Sequence, residues 1–258
     1  MDTLNQRGRE IAYERTDLGA DGPPVVFVHG AGGSRAVWAR QHRIADRFPV
    51  VTVDLAGHGS SEDVDADPGY TTLAAYADDV AAVAEAVDAE AVVGASLGGA
   101  VALHLLIERE HPFGAAVVVG TGARMGVLED LLGWLAEDFD RAVDFLHGEG
   151  RLFAEPEPEL VERSAATMRE TGRRVTERDF LTCHEFDVRD RLGAVDTPLL
   201  AVYGEEDRLT PPWFHEFIVE NVPDGRLVGI EDAAHLPMLE RPTPFNDAVL
   251  EFLESTVG

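Results

Sequence analysis

The 258-residue chain carries a formal charge of -27, with 48 acidic residues against 21 basic ones, and 45% of its residues are hydrophobic. That length supports a sizeable core without staples, and the charge argues against nucleic acid or an anionic membrane surface as a partner. Every basic residue is arginine, which excludes a Walker A phosphate loop, a pyridoxal Schiff base and a Ser-Lys dyad, each of which needs a lysine ammonium. The lone cysteine, Cys183, cannot form an internal disulfide, and no Cys/His cluster stands at ligand spacing, so no metal site is expected. No stretch matches a signal peptide or a membrane span of roughly 20 apolar residues. A soluble, cytoplasmic protein is expected.

Residues 9–15 partly alternate apolar and polar, which suits an edge strand with one wet face. Residues 25–29, 50–54, 91–94, 115–119 and 199–203 are short, β-branched and apolar throughout. Such strands are buried on both faces and belong to parallel sheets covered by helices. Helical patterns lie between them, at 70–87 and at 97–111, the latter stopped by Pro112. This alternation predicts an α/β fold built on a mostly parallel, doubly wound sheet. From 122 to 192 no strand pattern stands out, only helical runs with proline breakers at Pro156 and Pro158. The reading is an α/β core formed by residues 1–121 and 193–258, with a helical cap inserted at 122–192 over the carboxyl ends of the strands.

Gly94-Ala-Ser96-Leu-Gly98 is a G-x-S-x-G pattern that ends a predicted strand and opens a predicted helix. Glycines flanking the serine permit a sharp turn, and the amides of the helix N-terminus can hold negative charge near its hydroxyl. The pattern alone also fits an ordinary glycine-rich turn. A nucleophilic serine needs a base, and the base needs an orienting group. His235 follows the last strand-like run, 226–230, and precedes the C-terminal helix. Asp207 follows the buried run 199–203. The chain order Ser96, Asp207, His235 is that of an α/β-hydrolase triad.

On these motifs the sequence resembles the α/β-hydrolase superfamily, in its capped esterase, lactonase and cofactor-free perhydrolase branch. The likeness runs from about residue 9 to the C-terminal helix. His29-Gly-Ala-Gly-Gly-Ser34 resembles the family's HG loop, and Asp54-Leu-Ala-Gly-His-Gly-Ser60 its D-x-x-G-x-G-x-S turn. The resemblance implies Ser96 as nucleophile, His235 as base, Asp207 as orienting acid, and the backbone amides of Ala31 and Leu97 as the oxyanion hole, with no cofactor. The lysine-free, acid-rich composition further resembles that of extremely halophilic archaea, whose surface carboxylates keep proteins soluble in concentrated salt.

Several alternatives stay open on sequence grounds. Gly32 could replace Ala31 as oxyanion donor. His29 and His58, expected near the mouth of the site, could shape loops or serve as a second base. Glu205 and Glu206 are expected to face solvent. Cys183 reads as a small apolar residue, and Trp134, Phe139, Phe145, Phe153, Phe180 and Phe186 either line an acyl pocket or pack the cap. A dinucleotide site at this turn is excluded, because Gly94-Ala-Ser96 lacks the G-x-G start and the apolar run 115–119 stands where the acidic partner would be. The expected activity is hydrolysis of a small to medium neutral carboxylic ester. The same triad would serve a lactonase, a carbon-carbon bond hydrolase or a perhydrolase, and the same fold could serve a small-molecule receptor.

Overall fold

The structure, a computed structural model, describes residues 1–108, 113–155 and 157–258. One sheet of eight strands runs through the described residues in the order β1-β2-β4-β3-β5-β6-β7-β8. The strands are β1 (Asp2–Gln6), β2 (Arg9–Thr16), β3 (Val25–Val28), β4 (Val50–Val53), β5 (Ala91–Ala95), β6 (Ala115–Val119), β7 (Leu199–Gly204) and β8 (Gly225–Ile230). From β4 to β8 all neighbours are parallel, while β2 pairs antiparallel with both β1 and β4. Every residue of β3, β4, β5 and β6 is buried, so both faces must be covered. Because side chains alternate along a strand, Val26 and Val28 join one core with Leu73, Tyr76 and Leu103. Val25 and Phe27 join a second core with Trp38, Phe245 and Leu253 on the opposite face.

Helices α1 (Tyr70–Ala86) and α2 (Leu97–Glu108) supply much of the first core. Residues 109–111 of the predicted second helix, its expected stop at Pro112 and the expected breaker Pro156 lie outside the described residues. Two expectations are corrected. Residues 9–15 do not form an edge, because β1 covers them through a two-residue turn at Arg7 and Gly8, both with positive φ, the backbone of a type I′ hairpin. Strand β1 is polar and largely exposed, so it carries no hydrophobic periodicity to read. Pro158 does not break a helix but begins one, where its missing N–H is not needed.

Between β6 and β7 the chain forms α3 (Glu129–Glu137), α4 (Phe139–Leu146), α5 (Pro158–Thr171) and α6 (Arg173–Glu185). These helices share a small core of Leu131, Leu135, Val143, Leu146 and Met168. An isolated antiparallel bridge between Arg124 and Asp187 joins the two ends of the segment. Beyond it, α7 (Pro212–Asn221) links β7 to β8, and α8 (Pro237–Glu240) and α9 (Pro242–Thr256) close the chain. Among the described residues no helix is long and apolar enough to cross a membrane.

Candidate active site

Ser96 sits between β5 and α2 with φ +52°, a left-handed conformation that a non-glycine residue adopts only when its surroundings enforce it. Those surroundings are visible. The Ser96 amide donates to the Val119 carbonyl at 2.8 Å, and the Ser96 carbonyl accepts from Gly99 N–H at 2.9 Å and from Thr121 Oγ1 at 3.0 Å. A Cβ at Gly94 would collide with the Gly98 carbonyl, and one at Gly98 with the Val28 and His29 carbonyls. The glycines at both positions are therefore what lets strand and helix meet at so tight a corner. Leu97 opens α2, where a backbone amide has no intrahelical acceptor. Its side chain is buried in the core behind the serine.

Asp207 and His235 stand on the loops after β7 and β8, at adjacent strand ends. His235 Nδ1 lies 2.9 Å from Asp207 Oδ2. The Asp207 side chain is fully buried and accepts three further hydrogen bonds, from Leu209 N–H at 2.8 Å, Thr210 N–H at 3.0 Å and Thr210 Oγ1 at 2.7 Å. Burial alone would raise the Asp207 carboxyl, but His235 and Thr210 outweigh it and hold the group below the usual carboxylate range. It stays charged and fixes which imidazole nitrogen keeps the proton. Glu240 anchors the His235 loop from the other side, accepting from Ala234 N–H at 2.8 Å and Ala154 N–H at 2.7 Å.

Ser96, His235 and Ala31 line one cavity of about 330 Å³. Its walls are mostly apolar, with Leu131, Phe145, Leu146, Met168 and Phe180 from the helices after β6 and Leu209 from the loop after β7. Ser96 approaches the loop after β3 closely: the Cβ position at Gly30 is 3.1 Å from Ser96 Cβ and 3.8 Å from its Oγ. In that loop the Gly30 carbonyl accepts from His29 Nδ1 at 2.8 Å and from Gly33 N–H at 3.1 Å. The trans peptide then points the Ala31 amide the opposite way. The Gly32 amide, by contrast, donates to Asp179 Oδ2 at 2.9 Å. That bond already occupies the Gly32 amide.

His29 accepts from Leu55 N–H on Nε2 at 3.1 Å while Nδ1 donates to Gly30, so the ring is neutral. Burial and the neighbouring His58 push its pKa down to about 4. His58 does not sit at the mouth as expected; it is fully buried, 2.8 Å from Asp179 Oδ2. Neither histidine is placed to act as a second base. Asp54, in the D-x-x-G-x-G-x-S turn, is buried and holds Arg35 N–H at 2.8 Å and Ser60 N–H at 3.0 Å, a structural duty. Glu205 and Glu206 are exposed, as expected. Cys183 is buried and lines the cavity; burial pushes its thiol far up, so it is inert. Of the six aromatics considered, Phe145 and Phe180 reach the cavity, whereas Phe153 and Phe186 are buried and Trp134 and Phe139 pack among α3 to α5. Thr210, Asp179 and Glu240 carry no motif of their own and were not anticipated.

A serine at a strained strand-to-helix turn, sharing one cavity with a histidine held by a buried aspartate, on a mostly parallel sheet, defines a class, and comparison with known proteins agrees with it. Residues 25–248 match the model of the Alpha/beta hydrolase family. The chain belongs to that family. It is 29% identical over 247 residues to a pimeloyl-[acyl-carrier protein] methyl ester esterase of Neisseria meningitidis, covering 89% of this chain and 92% of that one. It is 28% identical over 276 residues to the putative non-heme bromoperoxidase BpoC of Mycobacterium tuberculosis, covering 95% and 98%. Among solved structures, a thermophilic esterase superposes with a TM-score of 0.87 at 30% identity, covering 98% and 97%. Est816, described as an N-acyl homoserine lactone degrading enzyme, superposes at 0.85 with 25% identity, covering 97% and 100%.

Proposed function

We propose that this protein is a serine hydrolase that cleaves small to medium neutral carboxylic esters through an acyl-enzyme on Ser96. The observation that carries the reading is the convergence of Ser96, strained at its elbow, and His235, held at 2.9 Å by the buried Asp207, on one apolar cavity. In this mechanism His235 Nε2 takes the hydroxyl proton as Ser96 Oγ attacks the ester carbonyl. The Ala31 and Leu97 amides receive the oxyanion, each worth about 3 kcal/mol in the transition state. Asp207 stabilises the imidazolium without taking its proton. The imidazolium protonates the departing alcohol, and water deprotonated by His235 then releases the acid.

Residues 122–192 act as the cap over the site, since α4, α5 and α6 each contribute residues to the cavity wall. A neutral ester is favoured because the -27 charge disfavours anions at low ionic strength. The same charge and the absence of lysine support adaptation to concentrated salt. Lactonase activity is the second reading, supported by the likeness to Est816.

The test is hydrolysis of chromogenic esters of graded acyl length in molar salt, beside Ser96→Ala. Turnover should fall on the order of 10⁶-fold in the variant if the three residues act as a unit. Equal turnover by both proteins would overturn the reading.

A further inference from the structure

Asp179 lies on α6, 147 residues along the chain from Gly32, and is fully buried. Three donors converge on its carboxylate. Gly32 N–H and His58 Nε2 reach Oδ2 at 2.9 and 2.8 Å, and the Tyr76 hydroxyl reaches Oδ1 at 2.7 Å. His58 Nδ1 faces the Ala56 carbonyl at 3.2 Å, so both ring nitrogens point at acceptors and both carry protons. A buried carboxylate is thus paired with a buried imidazolium, the arrangement in which burying charge is tolerable. Arg178 braces the group from the next position, donating to the Tyr76 hydroxyl at 2.9 Å, the Val64 carbonyl at 2.8 Å and Asp63 Oδ1 at 2.8 Å.

The network ends on the loop that carries Ala31. Gly30 and Gly32 flank that residue, and both are held: the Gly30 carbonyl by His29 and Gly33, the Gly32 amide by Asp179. Met168 and Thr176 close over Gly32, leaving about 3 Å to where its Cβ would stand. Phe180 and Cys183 of the same helix α6 line the cavity. One helix therefore forms part of the substrate wall and grips the loop beside Ser96.

We propose that Asp179 is a positioning residue: it fixes the Ala31 amide for the oxyanion and couples that donor to the helices after β6. This rests on the oxyanion role proposed above for Ala31. Because Asp179 touches no substrate, its loss should act on the transition state and leave ground-state binding alone. Displacing a single oxyanion donor lowers turnover by up to about 10²- to 10³-fold when it is removed outright, so a loosened one should lower kcat by about 10- to 100-fold.

The experiment uses Asp179→Asn, in which an amide donor must face one of the three groups that now donate to the carboxylate. Its kcat on a short chromogenic ester should fall by that factor with KM within about twofold. The inhibition constant of a matched alkyl trifluoromethyl ketone, whose adduct on Ser96 places an oxyanion at the same donors, should rise in parallel. Binding of the corresponding secondary alcohol should not change. Amide hydrogen exchange of the segment 29–34 should become faster in the variant. Unchanged kcat, ketone inhibition and exchange in folded Asp179→Asn would overturn the proposal, as would a rise in KM alone, which would mean that α6 only shapes the cavity. Should Asp179→Asn not fold, Tyr76→Phe removes one donor from the carboxylate and keeps the ring; it should show the same signature at about threefold, and wild-type values there would overturn the proposal. If the wild-type protein hydrolyses no ester, the hydrolase reading fails, and exchange at 29–34 still decides whether Asp179 holds the loop.

Discussion

Thr210 Oγ1 lies 2.7 Å from Asp207 Oδ2 and 3.2 Å from His235 Nδ1, so one hydroxyl closes a triangle with the acid and the base. With Leu209 and Thr210 amides also donating, Asp207 keeps its geometry largely without help from the histidine. Asp207→Asn should therefore fold normally but lose its hold on the imidazole tautomer. Turnover should drop about 10⁴-fold with little change in KM, as expected of a group that orients the base without touching substrate. Steady-state kinetics on a short ester checks this; a loss below tenfold would remove Asp207 from the proposed triad.

The candidate site was legible because its parts are local. The serine elbow spans five residues, and the acid and base candidates each follow a strand-like run, so Ser96, Asp207 and His235 could be read at the ends of strands β5, β7 and β8 of one sheet. The five central strands were equally plain, since burial on both faces makes them apolar at nearly every position. What escaped notice depends on pairing over long separations. Asp179 is one of 48 acidic residues, and nothing in its neighbourhood marks it as the one that meets Gly32 and His58. Strand β1 escaped for the opposite reason: an exposed polar edge is held by backbone hydrogen bonds, which leave no trace in the side chains.

Salt should stabilise this protein. At -27 the folded surface repels itself, and at 1 M salt the Debye length shrinks to about 3 Å, which screens that repulsion. The same salt weakens exposed ion pairs such as Arg169 with Asp140 and Asp144, but exposed pairs contribute little. Repulsion among many charges outweighs a few surface contacts, so the melting temperature should rise between dilute buffer and molar sodium chloride. Thermal melts at both salt levels measure it, and a flat response would show that the acidic surface is no adaptation to salt.

The buried His58 and Asp179 pair should leave its mark on stability against pH. Burial alone would lower the His58 pKa, but Asp179 outweighs burial and the opposing Arg178, and holds the ring above its ordinary 6.5. A raised folded-state value means that the pair's contribution is fully present below 6.5 and is lost as pH climbs through the folded value. Asp179 acts in the other direction: burial would raise it, but His58, Gly32 and Tyr76 hold it below 3.8, so its contribution is lost only in acid. His58→Gln removes the imidazolium and should flatten the alkaline fall in melting temperature while lowering stability at pH 6. Parallel curves for the variant and wild type between pH 6 and 9 would show that His58 is not charged in the folded protein.

Chain-length preference should follow the cavity wall. Phe180, partly buried on α6, and Phe145 on α4 are the aromatic residues from the segment after β6 among those lining the cavity. Each ring occupies space that an acyl chain would otherwise take. Phe180→Ala should open room for several methylenes, and a single methylene in an apolar pocket is worth about 1–3 kcal/mol of discrimination. The ratio of kcat/KM for an octanoyl over an acetyl ester should therefore rise by at least about tenfold, mainly through the longer ester. The acetyl ester should be nearly unaffected, because its short chain ends near Ser96 and never meets the ring. A uniform fall for all esters would instead mean that Phe180 supports α6, and through Asp179 the oxyanion loop, without bounding the acyl site.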